Sequence, residues 1–271
     1  MPELPEVETT RKGLSPALTK QRIRGVLVRE RRLRWPLPAD FEKSLTGRQV
    51  IDVGRRAKYL LIQLDKGHLL IHLGMSGSLR VLSKPTPPQK HDHVDLVLSS
   101  GCIVRYNDPR RFGSMHFLTG NPHDHPLLNH LGPEPLADAF SSTYLHDQIR
   151  HRSVAIKLCI MNASVVVGVG NIYASEALFR AHICPTRSAG KLKAWEVVAL
   201  VAAIKQVLGA AIKAGGTTLR DYVDTSGTPG YFRQKLFVYE RAGEPCRRCQ
   251  TPIRHKVQGQ RSTYWCPSCQ I

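Results

Sequence analysis

The sequence predicts an α+β chain of several domains: an N-terminal β-sandwich with flanking helices, a helical unit, and a C-terminal β-hairpin stapled by cysteines. Three observations predict it. Short β-branched and aliphatic runs, separated by Gly, Pro and Asp turn signals, occupy residues 23–118. From Ser141 to about Ala214 the apolar spacing becomes helical. Four of the seven cysteines crowd into the tail.

In order along the chain, Glu6 to Leu18 reads as a short helix behind the Pro5 turn, so that the first residues are anchored. The runs VLVRE, YLLIQL, HLLIHL, HVDLVL and CIVRY then supply sandwich strands. Between Asn121 and Ala139 the stretch NPHDHPLLNHLGPEPLADA is rich in Pro and reads as a linker. The helical signal is clearest in AWEVVALVAAIKQVLGAAIKA. The Gly/Thr/Ser-rich loop that follows, GGTTLRDYVDTSGTPGYF, is longer than an ordinary connection, which marks it as functional or mobile. The expected division is a β-sandwich over 1–128, a helical unit over 138–232 with a special loop at about 215–231, and a cysteine hairpin over 237–271.

Lys and Arg total 39 against 21 Asp and Glu, a formal net charge of +18, which favours a polyanionic partner, nucleic acid first. No uninterrupted apolar run reaches the roughly 20 residues of a bilayer span, and no strongly basic amphipathic helix is evident. The N-terminus is too acidic and too poor in apolar residues for a targeting peptide. A cytoplasmic location with no membrane association is therefore expected.

The tail cysteines Cys246, Cys249, Cys266 and Cys269 fit C-x2-C-x16-C-x2-C, in which two knuckles present four thiolates around one Zn2+. Four protein ligands leave no open position, so the expected metal is structural. Cys102, Cys159 and Cys184 are scattered and read as buried or inert thiols. Between the knuckles Arg254, His255, Lys256 and Arg261 offer charge for phosphates. Two other clusters, His91–Asp92–His93–Asp95 and His123–Asp124–His125, invite a second metal, which we do not assign.

At the front, removal of Met1 would make Pro2 the N-terminus. An α-amine titrates near 8, so about a tenth is neutral at pH 7, against well under a thousandth for a lysine. Proline's amine is secondary, so its condensation with a sugar C1′ gives a cationic iminium, an electron sink that favours elimination. Glu3 and Glu6 are near enough in sequence to move protons there. From residue types alone, however, PELPE reads as a capped helix start. By the same standard Met75 and Phe112 read as core strand residues.

The segments MPELPEVETTRKGL, RRAKYLLIQL, HLGMSGSL, KHDHVDL, DPRRFG, VVVGVGNIYASEALF, GGTTLRDY and the cysteine tail together resemble the formamidopyrimidine-DNA glycosylase (Fpg) family, within the broader Fpg/endonuclease VIII group. The likeness runs end to end. It implies a helix-two-turn-helix architecture for the helical unit and a monomeric enzyme of base-excision repair. That enzyme would excise oxidised purines from damaged duplex DNA and cleave the strand by β,δ-elimination.

Carried over by position, the resemblance makes Pro2 the Schiff-base nucleophile, Glu3 the proton donor, Lys58 the β-elimination lysine and Arg261 the δ-elimination arginine. It makes Met75, Arg110 and Phe112 the trio that fills the space of the extruded nucleotide, with Arg110 addressing the orphaned cytosine. His91, Arg110, Arg152 and Asn171 become DNA contacts, with Asn171 opening a helix whose N–H groups suit a phosphate. Glu6 and the loop residues Thr217, Leu219, Asp221 and Tyr222 become lesion-recognition groups. Asn162 stands where the family commonly carries Asp, away from the chemistry. Two other readings stay open: an endonuclease VIII-like glycosylase for oxidised pyrimidines, disfavoured by Leu4 and PRRFG, and a non-catalytic zinc-ribbon DNA-binding protein.

Overall fold

The computed structural model describes residues 2–216 and 236–271. By backbone proximity the chain divides into two compact units, Met1–Asn129 with Ala214–Arg233, and His130–Lys213 with Gln234–Ile271.

The first unit opens with helix α1, Leu4–Leu18, two residues earlier than the sequence pattern predicts. The reason is a capping box: Glu3 is the N-cap, its side chain accepts from the Glu6 backbone, and the Glu3 N–H donates to Glu6 Oε2 at 2.8 Å. Pro5 sits in the first turn, where its missing N–H costs nothing. Val7, Leu14 and Leu18 are fully buried on one face.

Strand β1 (Ile23–Val28) and helix α2 (Phe41–Leu45) follow, then β2 (Val50–Arg56), β3 (Tyr59–Leu64), β4 (His68–His72), β5 (Ser78–Leu82), β6 (Asp92–Leu98), β7 (Ile103–Asn107) and β8 (Ser114–Leu118). They form two antiparallel sheets, ordered β1-β6-β7-β5 and β2-β3-β4-β8. Leu60, Ile62, Leu69 and Ile71 share one core with Val94, Leu96, Val104 and Tyr106, joined by the apolar faces of α1 and α2. Strands β2, β5 and β8 are not among the predicted runs. Their apolar residues are interrupted by Gly54, Arg55, Arg80 and His116.

A cage of charges stiffens the first sheet. Arg105 grips Asp95 with two 2.8 Å bonds, Arg29 meets the same carboxylate at 2.5 Å, and Arg80 reaches Asp92 at 2.8 Å. Burial alone would raise both aspartates, but the arginines and other donors hold them below their ordinary values. The Asp95 oxygens are thus committed to guanidinium groups, and those of Asp92 to the Gln89 N–H and the Asn107 amide as well as to arginine. His91 precedes β6 in a left-handed conformation with φ of 90°.

Two histidines of the other sheet make stability depend on pH. Burial, followed by Lys58 and Arg34 at His72 and by His125 at His116, lowers each from 6.5 to about 4. Since the folded value lies below the unfolded one, the unfolded chain binds protons first as pH falls. Stability is therefore full above about pH 6.5 and declines toward pH 4. Lowering the pH from 7 to 5 is expected to remove about 1–2 kcal/mol per histidine. Urea unfolding at the two pH values checks this, and His116→Gln should flatten the slope.

In the second unit α3 (Ser142–Ile149), α4 (Ile156–Ile160), α5 (Asn171–Arg180) and α6 (Ala194–Lys213) pack as a helical group. Helix α6 has the length and composition of a bilayer span, mean hydropathy 1.7, yet half of that stretch is buried. Val197, Leu200, Ile204, Leu208 and Ala211 supply its inward stripe, as in the core helix of a bundle. Asn162 forms a local turn, accepting from the Ser164 N–H and hydroxyl at 3.0 and 2.9 Å, bonds that an Asp would also accept.

The chain closes with the hairpin β9 (Arg254–Gln258) and β10 (Arg261–Trp265), joined by Gly259 and Gln260 at φ of 51° and 60°. The segment that leads toward it is tied to α5 by Glu176, which accepts the backbone N–H groups of Phe237, Val238 and Tyr239 at 2.8–2.9 Å. Burial pushes that carboxyl up while the three donors pull it back. Arg248 lies over the Phe179 ring at 4.7 Å, and Phe179 stacks on Phe237.

Candidate active site and DNA interface

Pro2 is buried immediately ahead of the capped start of α1, with Glu3 and Glu6 each 2% exposed. Both carboxylates serve the capping box, which confirms the helix-start reading and also fixes the two groups beside the N-terminal residue. Gly216, at φ of +84°, approaches Glu6 so closely that a Cβ would stand 3.1 Å from Oε1. The start of the predicted recognition loop therefore abuts Glu6. Thr217, Leu219, Asp221 and Tyr222 lie outside the described residues.

Lys58 occupies the two-residue turn between β2 and β3, where Ala57 takes a φ of 55°. Arg55 donates to the Ala57 carbonyl at 2.8 Å and to Glu8 at 3.0 Å, and Glu8 also binds Arg11. This chain of contacts holds the Lys58 turn to α1. His72 shares this region, a residue that sequence reasoning missed. Its neutral ring accepts the Gly74 N–H on Nδ1 at 3.0 Å, which leaves the proton on Nε2, and it packs on Tyr59. Its only sequence signal was a histidine two positions before Gly74.

Met75 and Phe112 are not strand residues, contrary to their reading from residue types. Met75 lies half-buried in the turn between β4 and β5, while Phe112, 44% exposed, lies in the loop between β7 and β8. The Arg110 guanidinium carbon stands 4.9 Å from the Phe112 ring centre, so an exposed aromatic ring and a fork of donors are already associated.

In the second unit, Gly170, not Asn171, is the N-cap of α5; Asn171 is the first helical residue. Its side chain answers to Lys157, another residue the sequence did not reveal. The fully buried Lys157 ammonium donates to Asn171 Oδ1 at 2.6 Å, the Ser262 carbonyl at 2.8 Å and Thr263 Oγ1 at 2.8 Å. Because an ammonium only donates, it fixes the amide with oxygen inward, and the Asn171 Nδ2 faces the Tyr239 hydroxyl at 3.5 Å. The same contacts clamp β10 next to Arg261, which is exposed at the hairpin tip. Arg152 lies beside Cys159 and Tyr144.

Lys157→Met keeps the length and removes all three bonds. It is expected to lower stability by about 2 kcal/mol and to weaken duplex binding as the Asn171 amide turns. Urea unfolding and fluorescence anisotropy on a DNA duplex measure the two effects.

The sulfurs of Cys246, Cys249, Cys266 and Cys269 all lie within 4.8 Å of one another. A tetrahedral zinc with bonds of about 2.3 Å requires sulfurs roughly 3.8 Å apart, so the donor set fits the ion. The Arg248 and Cys269 backbone N–H groups point to Cys246 and Cys266 sulfurs at 3.4 Å. Burial and then the neighbouring sulfurs push Cys266 and Cys269 up, a crowding that a cation relieves.

An antiparallel sandwich behind a capped N-terminal helix, a helical unit and a four-cysteine hairpin define a zinc-finger protein with a helix-two-turn-helix unit. Family models match accordingly: the formamidopyrimidine-DNA glycosylase N-terminal domain over residues 1–115, its H2TH domain over 131–223, and the zinc finger found in FPG and IleRS over 243–271. The chain belongs to the formamidopyrimidine-DNA glycosylase family. Relatives bearing that name from Thioalkalivibrio sulfidiphilus and Methylococcus capsulatus are 58% and 57% identical, with both chains covered in full. Among solved structures, the MutM (FPG) protein from Thermus thermophilus is similar at TM-score 0.88 and 39% identity, covering 99% of this chain and 98% of its own. A Lactococcus lactis FPG mutant in complex with Fapy-dG containing DNA reaches TM-score 0.91 at 33% identity, covering 99% of each chain.

Proposed function

We infer that this chain is a base-excision repair enzyme, a bifunctional DNA glycosylase and abasic-site lyase that removes oxidised purines from duplex DNA. The observation that carries the reading is full-length identity of 53–58% to formamidopyrimidine-DNA glycosylases. Solved relatives bound to Fapy-dG or abasic DNA support the same partner. The zinc holds the hairpin in shape and supplies no chemistry.

In the proposed sequence the Pro2 amine of the processed chain attacks C1′, the C1′–N bond to the damaged base breaks, and Glu3 protonates the ring oxygen as the sugar opens. The resulting iminium acidifies the C2′ proton. Its removal expels the 3′ phosphate, and a second elimination expels the 5′ phosphate, with Lys58 and Arg261 as the cations serving the two departures. Asn171, His91 and Arg152 are proposed contacts to the DNA, and Met75, Arg110 and Phe112 the groups that fill the vacated stack. Glu6 and the segment from Thr217 to Tyr222 are proposed to receive the flipped base. The working domain division remains 1–128, 138–232 and 237–271, and the site of action cytoplasmic, on chromosomal DNA.

Borohydride trapping on a duplex carrying 8-oxoguanine opposite cytosine, followed by peptide mapping, tests the reading. The expected product is a covalent adduct on Pro2. A preference for thymine glycol would move the chain to the pyrimidine-directed branch, and binding with no adduct would make it a non-catalytic DNA-binding protein.

A further inference from the structure

Two separate turns carry the proposed void-filling residues: Gly74–Ser76 after β4, with Met75 at its centre, and the segment Arg110–Phe112 between β7 and β8. Nothing in the sequence joins them. In the structure they share one buried polar hub, the carboxylate of Asp108, which is 0% exposed. Ser76 Oγ donates to Asp108 Oδ1 at 2.9 Å, while Tyr106 Oη and the Gly113 N–H donate to Oδ2 at 3.0 and 2.8 Å. The Asp108 carbonyl accepts from His93 Nε2 at 2.8 Å, and its own N–H donates to the His91 carbonyl at 3.1 Å. The aspartate is thus fixed by side chains of β6 and β7 as well as by both turns.

Ser76 does more than fill one acceptor. Its hydroxyl oxygen also accepts the Arg110 N–H at 3.3 Å, so a single oxygen next to Met75 holds both Asp108 and the backbone of Arg110. The backbones of the two turns are in contact as well. A Cβ on Gly74 would fall 2.4 Å from the Gly113 nitrogen and 2.5 Å from the Phe112 carbonyl carbon, and Gly74 itself has φ of +66°. Neither turn can shift along the other without breaking the Ser76 bridge, and at its fully buried Asp108 end an unpaired carboxylate oxygen is costly.

We propose that Ser76, acting through Asp108, is a positioning residue that couples the Met75 turn to the Arg110–Phe112 loop, so that both enter the DNA stack as one preassembled wedge. The proposal rests on the void-filling reading given above. It adds that filling the gap and addressing the orphaned base are a single event, because the two turns share a buried hydrogen-bonded joint.

The test compares single-turnover excision from an 8-oxoguanine–cytosine duplex with lyase cleavage of a single-stranded abasic oligonucleotide, which has no partner strand and no stack to fill. Ser76→Ala is expected to slow duplex excision about tenfold and to change single-strand cleavage less than twofold, while Tm falls by about 2–6 °C because the buried Asp108 oxygen loses its donor. Met75→Ala and Arg110→Ala are then combined in the Ser76 and Ser76→Ala backgrounds. With Ser76 present, the double variant is expected to lose at least fivefold less than the product of the single losses; with Ser76→Ala the losses multiply.

Equal slowing on both substrates would overturn the proposal by making Ser76 a general support. Unchanged coupling in the Ser76→Ala background would overturn it while leaving the void-filling reading intact. If neither Met75→Ala nor Arg110→Ala slows duplex excision relative to single-strand cleavage, the void-filling reading itself fails, and the proposal with it.

Discussion

Extending the chain by one residue ahead of Pro2 is expected to abolish the borohydride-trapped adduct and to slow strand cleavage by at least about a thousandfold. The extension turns a secondary amine into a tertiary amide, whose nitrogen lone pair is delocalised into the carbonyl and cannot attack C1′. The same logic applies to Met1, so mass spectrometry of the N-terminus must accompany every rate. Glu3→Gln is the companion variant. Glutamine retains an oxygen that can accept the Glu6 N–H in the capping box, so Tm should move little. The amide cannot deliver a proton, and base excision should fall about 10²–10⁴-fold. Excision kinetics, trapping and thermal unfolding on the same preparations separate the chemical loss from a folding defect.

Removing the metal should have an effect of similar size by a different route. Chelation, or Cys249→Ala, is expected to release one zinc per chain, melt the β9–β10 hairpin and weaken duplex affinity at least about a hundredfold. The reason is geometric. Cys246 and Cys266 belong to the same small core as Phe179, Val238 and Ile253, so loss of the ion disorders the packing that holds the Arg261 tip. Metal analysis, far-ultraviolet circular dichroism and anisotropy report the three consequences. A metal-free chain that kept its hairpin and its affinity would show that the cysteines need no ion.

What was legible in the sequence follows from what leaves a local signature. Strand periodicity, the helical stripe of α6 and the cysteine spacing are repeated patterns, and each reappears where expected. The helix start slipped by two residues because Glu3, a glutamate, is an uncommon N-cap whose role depends on a reciprocal bond with Glu6. Pro2 was visible as a nucleophilic amine once Met1 is removed, but only the family resemblance singled it out for the proposed chemistry. Lys157 and the Ser76–Asp108 joint were not legible at all. Lys157 meets partners at Ser262 and Thr263, and Ser76 meets one at Asp108, across elements that no periodicity connects. Buried polar contacts of this kind become apparent only once the chain is folded.

The arginine–aspartate cage of the first sheet bears on how the protein senses salt. Arg29, Arg80 and Arg105 count among the 39 basic residues, yet their guanidinium groups already face Asp92 and Asp95. Cations neutralised within the fold displace no condensed counterions from a duplex, so the steepness of binding against ionic strength counts only those left to meet phosphate, at about 0.9 per contact. The net charge sets the long-range attraction to DNA. The thermodynamic footprint is smaller, and only exposed cations that reach phosphate, the role proposed for Arg261, can draw it.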